Sequence, residues 1–289
     1  EGVSAIDHDL EVRGVLSSAF LFRVDCLVEG TPVFRAGVYQ IETNSSFSHV
    51  RSVFNGLPNA QIVVVEPGTT LHFLALQIAS IRGGDYAENF LHAASEAAMT
   101  SPWRPNGSLE GLVGIGSYIL GVGESPDHLV QRMERRFDAE ASALSVFPQK
   151  RYEGLSAYQF LIASSIVEKE GYYPVNMPKV ARVILNRLAR GGGLQMDSTI
   201  LYYFQRDGGT VTHAMLKVPS AYNTYLHPGL TPTPICEPSP IALRAMLAPP
   251  SGHWLYFTLV SNDGTMAFSN TFAEQLANER LASARGVGS

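Results

Sequence analysis

The stretch SSIVEKEGYY, residues 164–173, places two carboxylates at the end of an apolar run. The preceding AYQFLIASSIVEKE predicts a helix, opened by Ser156 and Gln159 as a capping box. Gly171 is then a suitable residue just past its C-terminus. That end of a helix carries partial negative charge, so Glu168 and Glu170 sit where local electrostatics oppose them. At ~100° per residue, positions two apart face nearly opposite sides, so only one of the acids continues the buried stripe. Ile166 and Val167 lie four and three residues before Glu170, which turns Glu170 toward the core or a cleft in it. Ser164 and Ser165 precede Glu168 in the same way and point it to a more polar side. A carboxyl beside apolar groups at a helix C-terminus has a raised pKa, which a general acid near neutral pH requires. The alternative is two solvated helix-end glutamates paired with Lys169 or Arg187.

Two further segments carry polar groups in a pattern. In LQMDST (194–199), Gln195, Asp197 and Thr199 alternate, as on an extended segment with one polar face. AYNTYLHPGLTPTPI (221–235) is dense in Tyr, Asn, Thr and Pro. Such a proline-stiffened loop suits a sugar, because it offers flat apolar faces together with hydrogen-bond donors and acceptors. A rigid structural turn is the alternative.

Composition bounds the scaffold. The chain has 289 residues, enough for one large domain or two ordinary ones. Hydrophobic residues make up 45% and charged residues 16%, which excludes a disordered or coiled-coil chain. The net charge of -5, with no block of like charges, excludes a basic nucleic-acid footprint. Cys26 and Cys236 cannot build a zinc site alone; they read as two small buried residues, with a disulfide between them unsupported. No run reaches the ~18 apolar residues of a membrane span. The eight histidines show no metal-ligand spacing, and Gly-x-Ser-x-Gly, His-Glu-x-x-His and Gly-x-Gly-x-x-Gly are missing.

The elements that must position the polar residues follow from local signals. Ser4 offers an N-cap for a short helix carrying Ile6, Leu10 and Val12. FRAGVYQIE (34–42) reads as a strand, and TNSSFSHVRSVFNG as a second capped helix. A unit of this kind needs partner strands, one of them expected upstream of residue 1. Ile62–Val65 is a strand, Pro67-Gly68 a turn, and Thr69 or Thr70 the cap of the next helix. Residues 125–146 form a long amphipathic helix with Ser125 as N-cap and Pro126 first. Further helices begin near Asn176, Pro240 and Thr271, and WLYFTLV (254–260) with TMAFS (265–269) reads as a hairpin about Asn262-Asp263-Gly264.

EKEG at a helix end, NRL (186–188), LQMDST, YNTY (222–225), GLTPTPI and LYF (255–257) occur in one order. That series resembles the endolytic murein transglycosylases, the MltG or YceG-like family. RAGVYQI, VVVEPGTT and LEGLVGIGSY (109–118) resemble segments of its N-terminal part, so the resemblance covers most of the chain. It implies an α+β fold, with a small LysM-like domain over residues 1–60 and a larger mixed catalytic domain over 61–289. In the latter, helices and short antiparallel strands would surround a groove open at both ends. The activity implied is internal cleavage of peptidoglycan between N-acetylmuramic acid and N-acetylglucosamine, leaving 1,6-anhydro ends. The family's catalytic glutamate is the second acid of the EKE segment, hence Glu170. Gln195, Asp197, Thr199, Tyr222, Asn223, Thr224, Tyr225 and Glu168 would line the cleft, with Asn223 and Tyr225 nearest the scissile bond. Asp197 would stabilise charge developing on the sugar or, equally, accept backbone N–H groups of its loop. No metal or cofactor is implied. The partners implied are glycan strands and cell-wall synthesis proteins, at the outer side of the inner membrane, through a single-pass anchor outside this chain.

The chain also departs from the family pattern. Ser198 stands where the family often has Pro, Ile115-Gly116-Ser117 replaces Pro-Asp-Thr, and GLTPTPI replaces GLPPGPI. Met266 and Gln275 each replace a His. These changes imply a divergent branch that keeps its acid. Two competing readings remain: a catalytically weak glycan-binding module, and a hydrolase in which water replaces the C6 hydroxyl as nucleophile.

Overall fold

The computed structural model describes residues 3–103, 107–121, 123–171 and 173–287. In chain order they form α1 (Val3–Val12), α2 (Ala19–Glu29), α3 (Phe47–Asn55), β1 (Gln61–Val65), α4 (Leu71–Arg82), α5 (Gly84–Thr100), β2 (Gly116–Leu120) and α6 (Pro126–Ala143). There follow β3 (Arg151–Tyr152), β4 (Leu155–Ser156), α7 (Ala157–Gly171), α8 (Met177–Ala189), α9 (Asp197–Tyr203), a 3₁₀ turn (Met215–Lys217), α10 (Pro240–Leu247), β5 (Tyr256–Leu259), β6 (Met266–Ser269) and α11 (Phe272–Ala284). The strands pair as β1 with β2, β3 with β4 and β5 with β6. Helices with short, separate strand pairs make this an α+β fold. The chain divides into two compact units, Glu1–Ile62 with Tyr118–Glu124, and Val63–Ser117 with Ser125–Ser289.

In the first unit, Ser18 and Ser46 cap α2 and α3 by accepting from the Leu21 and His49 amides. Leu10, Leu16, Phe22, Val50 and Phe54 form the core, with Phe34, Tyr39 and Ile41 packed against it. Helix α1 spans Val3–Val12, so it begins before the Ser4 position expected to precede it. The strand expected over 34–42 is irregular chain. Its backbone is satisfied by a side chain: the Asn59 amide accepts from Gln40 N–H at 2.7 Å and donates to Gln40 C=O at 3.0 Å. Asn59 thus takes the place of a neighbouring strand. Gly37 here lies so close to Pro58 that an added Cβ would meet its ring at 2.2 Å.

In the second unit α7 is the centre. Every residue from Phe160 to Val167 is buried, and the helix packs against α8 and α10. Ser156 and Gln159 form the expected capping box, each accepting from the other's backbone amide. Ser164 and Ser165 are fully buried, not part of a polar face. They satisfy their hydroxyls on the Phe160 and Ile162 carbonyls, and Ser165 also accepts from Ile235 N–H at 2.9 Å. Gly171 is required by packing and not by a left-handed cap: a Cβ there would lie 2.4 Å from the Met177 side chain. Ser125 and Thr271 cap α6 and α11, the latter in a capping box with Glu274. The β5–β6 hairpin has Tyr256 opposite Ser269 and Leu259 opposite Met266. Cys26 and Cys236 are both buried free thiols. No helix among the described residues is long and apolar enough to cross a membrane.

Candidate active site

Glu170 emerges half-buried at the end of α7. Its Oε1 accepts from Ser198 Oγ at 2.6 Å and from Ser198 N–H at 3.3 Å. Both donors lie in the first turn of α9, where free amides and the positive end of the helix favour an anion. Burial raises the carboxyl pKa above the usual range; the Ser198 bonds and Arg187 oppose this, and Asp197 adds to it. Glu170 Oε2 has no hydrogen-bond partner among the described residues, which leaves one oxygen to hold a proton for an incoming group.

Three side chains surround this carboxyl. Tyr225 donates its hydroxyl to Asp197 Oδ1 at 2.6 Å, and burial together with that carboxylate raises the phenol pKa. Arg187, on α8, donates Nε–H to the Leu255 carbonyl at 2.6 Å and Nη1–H to the Leu194 carbonyl. Its guanidinium lies 5.4 Å from the Tyr256 ring centroid, in cation–π contact. Burial lowers its pKa, while Glu170 and the two tyrosines favour its charge. Asn186 braces the same helix face by donating to the Gly252 and Trp254 carbonyls.

The structure corrects the extended reading of 194–199. Gln195 turns the chain in the left-handed region at φ 52°, and α9 starts at Asp197. Asp197, Ser198 and Thr199 therefore lie on successive faces of one helical turn, because helix periodicity replaces alternation. Gln195 and Asp197 are exposed, while Thr199 is fully buried. Thr199 donates to the Met196 carbonyl and bonds Thr224 Oγ1 at 3.0 Å; Thr224 Oγ1 also accepts from Met196 N–H. Asn223 is 1% exposed: its amide donates to the Leu216 and Val218 carbonyls and accepts from Tyr225 N–H. The structure thus buries Thr199, Thr224 and Asn223 and uses their polar groups to tie the surrounding loop together. Tyr222 is half-buried against Tyr202 and bonds Thr233 Oγ1.

Glu168 turns away from Glu170 and accepts from Ser239 N–H at 2.8 Å, where it caps α10 together with the Ser239 hydroxyl. Neither glutamate is a solvated partner of Lys169, which instead reaches the Gly68 carbonyl and Asp207. Sequence reasoning missed Ser198 as the partner of the acid, and Tyr256 as the ring under Arg187. The signal for Ser198 was present: Asp197-Ser198-Thr199 is the residue set that opens helices.

A second acidic cluster lies elsewhere in the unit. Glu237 accepts from the Gly111 and Val113 amides, one on each oxygen. Glu110 accepts from the Leu71 amide at the start of α4 and from the Tyr202 hydroxyl. Burial lifts Glu237 well above the carboxylate range and Glu110 to about 8. Together these acids join segments 68–71, 109–113 and 235–237, since Glu237 also exchanges backbone bonds with Gly68 and Thr69.

The chain is similar to known proteins over nearly its whole length. The curated endolytic murein transglycosylase of Bacillus subtilis is 24% identical across 98% of this chain and 83% of its own length. That of Streptococcus pneumoniae (strain D39) is 23% identical across 93% of the chain, which spans 54% of that relative. A crystal structure of a yceG-like protein from Listeria monocytogenes superposes with a TM-score of 0.68 at 25% identity, covering 96% of this chain and 95% of the other. The model of the YceG-like family matches residues 1–281, and the chain belongs to that family.

Proposed function

We propose that the chain is an endolytic lytic transglycosylase of peptidoglycan, with Glu170 as its single general acid and base. The observation that carries this reading is the Glu170 carboxyl itself: half-buried, raised in pKa, held by Ser198 on one oxygen and open on the other. In the proposed reaction the open oxygen donates a proton to the glycosidic oxygen linking N-acetylmuramic acid to N-acetylglucosamine. The muramic C1–O bond breaks and positive charge develops on the sugar ring. The muramic C6 hydroxyl attacks C1 and returns its proton to the Glu170 carboxylate. A 1,6-anhydro end forms, and the acid is restored without consuming water. One carboxyl then suffices where ordinary glycosidases need two. The Asp197 carboxylate, oriented by Tyr225, supports the cationic ring electrostatically. Asn223, Thr224 and Thr199 act at one remove, by fixing the loop that carries Tyr225. Residues 1–60 serve as the LysM-like accessory region and residues 61–289 carry the chemistry.

The test is mass spectrometry of products from purified peptidoglycan treated with wild type and with Glu170→Gln. The proposal expects 1,6-anhydromuramic ends from wild type alone. Reducing ends carrying added water would make the enzyme a hydrolase using the same acid. Binding of strands by both proteins, with cleavage by neither, would replace the enzyme with a glycan-binding module.

A further inference from the structure

A pocket of about 240 Å³ is lined by Arg187, Arg190, Gly192, Gly193, Gln195, Leu255 and Tyr256. Two arginines and no acidic residue are among its lining residues. Arg187 is the residue that also interacts electrostatically with Glu170, so the pocket adjoins the reacting carboxyl. Arg190 is exposed at the end of α8; its backbone N–H caps the helix, while its guanidinium forms no ion pair or hydrogen bond among the described residues. The Gln195 side-chain amide is likewise unpartnered there, on a residue held in the left-handed region.

We propose, resting on the transglycosylase reading above, that this pocket binds the free carboxylate of the acidic residue in the stem peptide of the muramic acid undergoing cleavage. Neutral sugars gain little from paired guanidiniums, whereas a carboxylate gains charge-assisted bonds of the geometry that arginine presents. The stem peptide is the charged part of peptidoglycan, and it hangs from the same sugar whose C1 reacts at Glu170. Gln195 supplies an amide for the peptide backbone beside that carboxylate, and the Tyr256 ring forms an apolar wall.

The test uses the full chain carrying Glu170→Gln, so that strands are bound without being cut. Affinity is measured for three glycan fragments of equal length: one with acidic stems, one with the same stems amidated at that carboxylate, and one stripped of peptide by an amidase. The acidic fragment is expected to bind about tenfold more tightly than the amidated one. Arg190→Glu should bring that ratio close to one, and Arg190→Lys should keep most of it. Equal affinity for acidic and amidated fragments, or a ratio unmoved by Arg190→Glu, would overturn the assignment. Stripped strands binding as tightly as acidic ones would also overturn it, since their lactyl carboxylate would then be the occupant. If the ratio behaves as expected while the wild-type chain cuts no strand, the subsite stands and the transglycosylase reading alone fails.

Discussion

Glu170 and Glu237 are both carboxyls whose pKa burial lifts above the usual range, and both accept backbone amides. They differ in what is left over. Glu237 is 1% exposed, with a backbone N–H on each oxygen, so its bonding is complete within the chain. Glu170 is half-buried, with both of its donors on one oxygen. A raised proton affinity is therefore shared by both acids, and the oxygen left without a donor is what sets Glu170 apart from Glu237. One cluster uses a carboxyl to close loops, and in the proposed reaction the other keeps a carboxyl ready to exchange a proton.

The largest separation between the two regions comes from removing each acid. Glu170→Gln should lower the cleavage rate by ~10³-fold, within the range for loss of a general acid, with little change in melting temperature. Glu237→Ala should do the reverse: it orphans two buried amides, and a loss of about 2–4 kcal/mol is expected in denaturant unfolding. A stable Glu237→Ala variant that had lost its activity would break the contrast.

pH sharpens the comparison with a smaller effect. Glu110 titrates near 8 in the folded chain and near 4.5 when unfolded, so the folded state holds its proton more tightly. This contribution is complete below pH 4.5 and is lost as pH rises through about 8, on the order of a few kcal/mol at most. Thermal unfolding between pH 5 and 9 should show the decline, and Glu110→Gln should flatten it. The smallest effect belongs to Ser198→Ala. Ser198 holds the Glu170 pKa down, so its loss should move the alkaline limb of the kcat/KM profile to higher pH. The rate near the optimum should fall by only about two- to tenfold, the worth of one or two hydrogen bonds.

Much of the fold was legible because capping and turn residues act locally. Ser125-Pro126, Ser156 with Gln159, the helix start near Thr271 and the Asn262-Asp263-Gly264 turn all sit where sequence placed them. The strand at 34–42 failed because its partner is the Asn59 amide, a contact made across nineteen positions that no periodicity reveals. In the site, spacing to Ile166 and Val167 did not separate the two acids, since Glu168 and Glu170 are both half-buried and Ser164 and Ser165 lie in the core. The roles of Thr199, Asn223 and Thr224 were not legible either, because a polar residue in a loop looks the same in sequence whether it faces a cleft or ties the loop together. Ser198 is hidden because the alternation in LQMDST suggests a period of two, whereas a helix starts at Asp197.

The end of α7 is moored on three sides. Glu168 holds the start of α10, Lys169 holds Gly68 and Asp207, and Glu170 holds the start of α9. Helix ends ordinarily fray, and their amides exchange with solvent through small local openings. Here three consecutive residues would have to release three separate segments before the last turn could unwind. Amide hydrogens at 166–170 should thus exchange with deuterium only through openings that also free α9 and α10, giving the last turn of this helix a lifetime like that of its middle.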